Sequence, residues 1–245
     1  MQIDAFAIRL RPRSNMEAAD LGVRLCQSAA RSVFACYWMV AVPTAALAMA
    51  ICWIAPWLPA ALTLWLAKPW LDRTILFVLS RAAFGQTSSL ADVWQARRQV
   101  WLRQLISTWT LRRLSPWRSF TQPVYQLEGL RGTQLHKRVA QIRHGRTGAA
   151  ALMTSIFATA EPLLAMGLLS LALWLTPKGY EPDLSKLFLG QASPAAVLGL
   201  QAAYVAVVLF LEPFFVAAGF AMYLNRRAEL EAWDIEQEFR RAFSV

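Results

Sequence analysis

Between Ser32 and Ala67 the chain carries no charged side chain, a gap of 36 residues. Charge is scarce throughout: 16% of the 245 residues are Asp, Glu, Lys or Arg, against about 25% in an ordinary soluble domain. That scarcity argues against a free-standing soluble globule and for a polytopic membrane protein. Cysteine is scarce as well. Cys26, Cys36 and Cys52 are odd in number, lie in or beside the first apolar region and form no CxxC. They imply no disulfide framework and suit small buried positions. Histidine is limited to His136 and His144, flanked by Lys137, Arg138, Arg143 and Arg146. Without acidic or thiolate company they are expected to be solvated, and no metal or cofactor is expected. The opening stretch, MQIDAFAIRLRPRSNMEAAD, carries Asp4, Glu17 and Asp20, and no short apolar core closely follows its arginines. A cleaved signal is therefore not expected, and the first span is expected to act as an uncleaved anchor.

What is present is a set of long apolar runs. A spanning helix needs roughly 20 apolar residues, and APWLP at 55–59 divides the first run. The expected architecture is an all-α membrane protein with four transmembrane helices and amphipathic cytoplasmic helices. The spans fall at about 34–55, 58–80, 149–175 and 195–224. The second is the least regular, because Lys68, Asp72 and Arg73 lie inside it. The organisation is then an N-terminal amphipathic segment (1–33), a first hairpin (34–80), a basic loop (81–148), a second hairpin (149–224) and a C-terminal helix (225–245).

The net charge of +10 is unevenly placed. Five arginines precede the first span, twelve basic residues lie in 81–146 and four arginines lie in the tail. The connection 55–59 has none, and 177–192 has only Lys178 and Lys186. Four spans put every basic cluster on one side, with both termini cytoplasmic. The charge therefore reads as a positive-inside signature facing anionic lipid, and nucleic acid is not an expected partner. Trp38, Trp53, Trp57 and Trp174 fall near expected span ends, as interfacial belts do.

SNME at 14–17 and SLAD at 89–92 have the form of helix starts. After the second, Leu90, Trp94, Trp101 and Leu105 recur at helical spacing among Arg97, Arg98 and Arg103. Such a helix lies in the membrane interface or packs on the protein's own loops. Arg112, Arg113 and Arg118 surround Ser115 and Pro116, where a helix break is expected. They are candidates for lipid headgroups, with a solvated basic loop as the plainer reading. The tail changes sign: five acidic residues, Glu229 to Glu238, sit between two arginine pairs, and Ala228, Ala232, Ile235, Phe239 and Phe243 line one face. It could dock on the basic loop or on another subunit.

Counted inward from the basic flanks, Glu161 is 15 residues beyond Arg146, Glu212 is 14 before Arg226, and Lys68 is 13 before Arg81. At about 1.5 Å per residue all three are level and deep. Each span also holds one proline at comparable depth: Pro43, Pro69, Pro162 and Pro213. Each frees a carbonyl and permits a kink. An intramembrane charge costs about 2.5–3.5 kcal/mol, which opposite charges can offset. The expectation is a buried polar cluster of Glu161, Glu212 and Lys68 with Asp72 and Arg73 nearby. It suits a structural role, ion or proton handling, or a small ligand. AEPLLAMG and LEPFFVAAG, 51 residues apart, hint at a short repeat.

LTLWLAKPWLDRTILFVLSRAAFGQ, RRLSPWRSFTQPVYQLEGLRG and EPFFVAAGFAMYLNRRAELEAWDIEQEFRR resemble a family of proteobacterial multi-span inner-membrane proteins with no assigned activity. The resemblance covers most of the chain. It implies a bacterial inner-membrane location and genes near one for a MoxR-type AAA ATPase, hence a part in a multi-protein membrane system. Three functions follow in order: a non-enzymatic subunit or scaffold associating with other membrane proteins or with itself, an oligomeric transporter or channel-like component using the glutamates, and a lipid-headgroup-acting enzyme. The last has no catalytic constellation behind it.

Overall fold

The computed structural model describes residues 13–102, 115–176 and 193–231. Among these the regular elements are all helical: α1 (Asn15–Ser28), α2 (Ala30–Ile54), α3 (Ala60–Ala82), α4 (Leu90–Gln95), a π-helical turn (Arg98–Leu102), α5 (Arg118–Leu127), α6 (Gly132–Arg143), α7 (Thr147–Trp174) and α8 (Pro194–Glu231). The four expected spans coincide with helices α2, α3, α7 and α8. Pro43, Pro69, Pro162 and Pro213 lie inside these helices and end none of them.

Three helices, α2, α7 and α8, are long and apolar enough to cross a membrane. At about 1.5 Å per residue, their 25, 28 and 38 residues exceed the roughly 30 Å hydrocarbon layer. The 23-residue α3 is long enough but carries Lys68, Asp72, Arg73 and Arg81. Exposed Trp53, Trp57 and Trp174 lie at or just beyond the ends of α2 and α7, positions that suit an interfacial belt.

The chain forms two compact units. One comprises the described parts of 1–38, 69–155 and 213–245, the other those of 39–68 and 156–212. The division falls within α2, α3, α7 and α8, directly before Pro69 in α3 and directly before Pro213 in α8.

The first unit is built on the second half of α3 and the 213–231 part of α8, where Leu71–Leu76 and Phe215–Leu224 are buried almost without interruption. Helix α1 starts at Ser14, whose hydroxyl accepts the Glu17 N–H at 3.2 Å. It is pinned to α8 where Asn225 accepts the Arg13 N–H at 3.1 Å and donates to the Arg13 carbonyl at 3.0 Å. Two glycines permit close approach. A Cβ at Gly22 would lie 2.2 Å from the Ala217 carbonyl oxygen, and one at Gly219 would lie 2.4 Å from Ser119 Oγ. Gly85, with φ +72°, turns the chain off α3, and the Gln86 N–H reaches back to the Arg81 carbonyl at 3.1 Å.

The second unit holds the rest of the four long helices. Here α7 is largely exposed, with Leu163, Leu164, Met166, Leu168 and Leu171 all open, a face that suits lipid better than water. The Ala61 N–H in the first turn of α3 donates to Gln201 Oε1 of α8 at 3.3 Å, supplying one orphan helix-start donor with an acceptor.

Gly22→Ala forces a methyl into the backbone of α8, an overpacking cost of about 1–3 kcal/mol. Gly167→Ala meets nothing within 4 Å. Thermal unfolding of detergent-purified protein is expected to show a lowered midpoint for the first and an unchanged or raised one for the second.

Candidate functional site

Helix α3 delivers Lys68, α7 delivers Glu161 and α8 delivers Glu212, all within the second unit. The Lys68 ammonium pairs with Glu212 Oε2 at 3.0 Å and also with Glu161. Side-chain exposure is 10% for Lys68, 14% for Glu161 and 1% for Glu212, so this is an interior ion cluster. Tyr204 donates its hydroxyl to the other oxygen of Glu161 at 3.3 Å. One ammonium thus bridges carboxylates from two other helices, and a phenol holds one of them. The set carries two acids against one base.

The polar stripe on α8 is legible once the partners are known. Gln201, Tyr204 and Glu212 share one helical face, with the apolar Val208 completing the spacing of three and four residues between them. The sequence reading missed Gln201 and Tyr204 because it weighed ionisable residues alone. Uncharged polar side chains at that spacing in an apolar helix were the available signal.

Asp72 and Arg73 follow Lys68 on α3. They belong to the first unit, where Asp72, fully buried, pairs with Arg118 Nη2 at 3.0 Å. Arg118 is therefore corrected as a headgroup candidate. Its side chain is 13% exposed, and its guanidinium faces both the carboxylate and the Phe215 ring, at 5.6 Å. The physical reason is the cost of leaving Asp72 without a counter-charge. Arg112 and Arg113 lie outside the described residues. Arg73 donates to the Trp101 carbonyl at 3.4 Å, and its own carbonyl accepts from Gln126 Nε2 at 2.9 Å.

The segment after Ser89 also differs from the expected apolar face. Ser89 and Asp92 form a reciprocal capping box. Hydrogen bonds from the Ser89 backbone and hydroxyl hold the Asp92 carboxyl below its usual range, and nearby Arg81 adds to this. But Leu90 and Trp94 are exposed, while Val93 and Val100 are buried. Trp101 turns inward and donates to Thr74 Oγ1 at 3.0 Å. The helix is only six residues long before the π turn shifts its register, so a face extrapolated at uniform spacing misplaces the anchors. Leu105 lies outside the described residues.

The basic loop and the start of the tail meet. Arg138 pairs with Glu128 at 2.8 Å and with Glu231, while Arg227 pairs with Glu231 at 2.9 Å. Arg146 pairs with Glu229 at 2.8 Å, and Tyr223 donates to Glu128 at 2.7 Å. Burial works against the charge on Arg138, but its two carboxylates outweigh burial and raise its pKa. Of the two docking options for the tail, its described portion takes the chain's own loop. Residues 232–245 lie outside the description. Buried Cys26 has its thiol pushed up to about 12 by desolvation, which leaves it unreactive at neutral pH.

Removing Lys68 leaves two buried carboxylates without their shared cation, whereas Lys68→Met with Glu212→Gln removes both signs. The double variant is expected to be less destabilised than the sum of its singles, with a coupling of about 1–3 kcal/mol measured by a thermal or denaturant cycle. Additive losses would show that the ion pair contributes nothing to stability.

No protein-family model, curated protein or solved structure matches the chain.

Proposed function

We propose that this chain is a non-enzymatic, four-span subunit of a multi-protein membrane assembly, with its termini and basic loop on the cytoplasmic side of a bacterial inner membrane. The observation that carries the reading is the closed triad. Lys68 is held by acids from two other helices, so the charges act as a clamp joining α3, α7 and α8. The charged α3 can then serve as the fourth span, because Lys68, Asp72 and Arg73 are all at most 8% exposed and so present almost nothing to lipid. The orientation is supported by the clustering of basic residues outside the apolar runs. Exposed Leu90, Trp94 and Leu102, beside buried Val93 and Val100, offer apolar contact to a neighbouring protein. The family resemblance, with its implied neighbouring AAA ATPase, supports an assembly role.

A second reading is an oligomeric component that handles protons or cations. One observation favours it: the triad holds one carboxylate more than its ammonium neutralises, with the Tyr204 hydroxyl on Glu161.

Reporter fusions after Lys178 and after Val245 are expected to read as external and cytoplasmic respectively. Reports from the same side would overturn the four-span threading. Co-purification in mild detergent, with native mass measurement, is expected to yield a stoichiometric partner that is weakened or lost in Glu161→Gln/Glu212→Gln. A homo-oligomer without partner, unchanged by those substitutions, would overturn the subunit reading and favour the second.

A further inference from the structure

An open cavity of about 480 Å³ lies between the α1–α2 junction and the turn that follows α3, entirely within the first unit. Arg31, Ser28 and Ser32 line one wall; Gln86, Thr87 and Ser88 line the other. The second wall exists because Gly85 takes a positive φ and turns the chain off α3. It is tied to α2 where the Cys36 thiol donates to the Ser88 carbonyl at 3.7 Å.

Two groups in this cavity have no protein partner among the described residues. Arg31 is exposed and has no ion-pair or hydrogen-bond partner among the described residues. Arg24 and Arg81, by contrast, pair with Asp20 and Asp92. The Ser88 hydroxyl is buried, in a residue only 8% exposed, and it too has no hydrogen-bond partner among the described residues. A buried hydroxyl without a partner is costly. A guanidinium fork and an unpartnered hydroxyl are donors that a phosphate accepts from, whereas Ser28 and Ser32 already donate theirs to the Leu25 and Ala29 carbonyls at 2.9 and 3.1 Å.

The position of Arg31 narrows the source of that phosphate. It is the last charge before the long apolar run, at the second residue of α2. Arg31, Ala35 and Trp38 are spaced at four and three residues, one face of the helix, and all three are exposed. An anion at Arg31 would continue along that stripe as an acyl chain.

We propose that this cavity binds the phosphate of an anionic membrane phospholipid, with Arg31 and Ser88 as its donors and the Ala35–Trp38 face against the acyl chain. The proposal rests on the membrane-spanning reading above and adds a ligand class and a site to it. The site is distinct from the Arg112, Arg113 and Arg118 group singled out in the sequence.

The full chain in non-ionic detergent would be titrated with phosphatidylglycerol, phosphatidylcholine and inorganic phosphate, with retained lipid followed by native mass spectrometry and thermal shift. One phosphatidylglycerol per chain is expected, with a raised unfolding midpoint. Arg31→Gln is expected to weaken binding on the order of tenfold or more, the loss of a charge-assisted contact. Ser88→Ala should weaken it less, and Arg31→Lys should fall between wild type and Arg31→Gln. Arg24→Gln should leave it unchanged. Wild-type affinity in a folded Arg31→Gln variant would overturn the site, as would an equal loss in Arg24→Gln, which would signify diffuse surface attraction. Inorganic phosphate binding as tightly as the lipid would overturn the lipid assignment. Retention of the wild type in alkaline-washed membranes tests the membrane reading separately, whatever the titration gives.

Discussion

An ammonium in the middle of an apolar helix has to be met by a negative charge or pushed out to water. Lys68 is met twice, by Glu212 at 3.0 Å and by Glu161. That contact joins three helices far apart in sequence, and it sets the rotation of each, because one face must turn inward to deliver its charge. Tyr204 and Gln201 follow on the same face of α8. The exposed leucines of α7 follow in the opposite sense: once Glu161 is turned to Lys68, the rest of that helix is left to the surroundings.

The same requirement shapes the first unit. Asp72 is fully buried and takes Arg118, which holds the start of α5 against α3. Gln126, two turns on, fastens the same helix to the Arg73 carbonyl. At the end of α8, Glu229 and Glu231 collect Arg146, Arg138 and Arg227. Pairs such as these contribute little singly when exposed, but a partly buried network that shares carboxylates also fixes orientation. Much of the basic charge that reads as a membrane-facing signal is thereby engaged inside the protein. Arg31 has no ion-pair or hydrogen-bond partner among the described residues, and it lines the cavity beside Ser88.

How much was legible in the sequence varied with the physics. The level placement of Lys68, Glu161 and Glu212 followed from counting residues inward from basic flanks, because a helix advances by a fixed rise. Asp72 is four residues from Lys68, so the same count placed it nearby, yet its partner is Arg118. Depth can be counted, but which opposite charge is nearest depends on how α5 packs, and nothing in its local sequence says so. Val100 was missed because the π turn shifts the register after α4, and Val93 because the exposed Leu90 and Trp94 were taken for the inward face. The close approach at Gly22 was also hidden, since a glycine in a helix looks the same with or without a backbone against it.

Sequence alone determined the helical class, the long apolar elements, the uneven placement of basic charge and the matching positions of the three ionisable residues along their helices. Each of these depends on composition or on a constant rise per residue, quantities that act along the chain. Tertiary structure decided which acid met which base, that Arg118 turned inward, that the start of the tail docked on its own loop and that Arg31 and Ser88 came to share a cavity. Those outcomes depend on pairing between distant segments, where burial makes an unmet charge too costly and the nearest available partner wins.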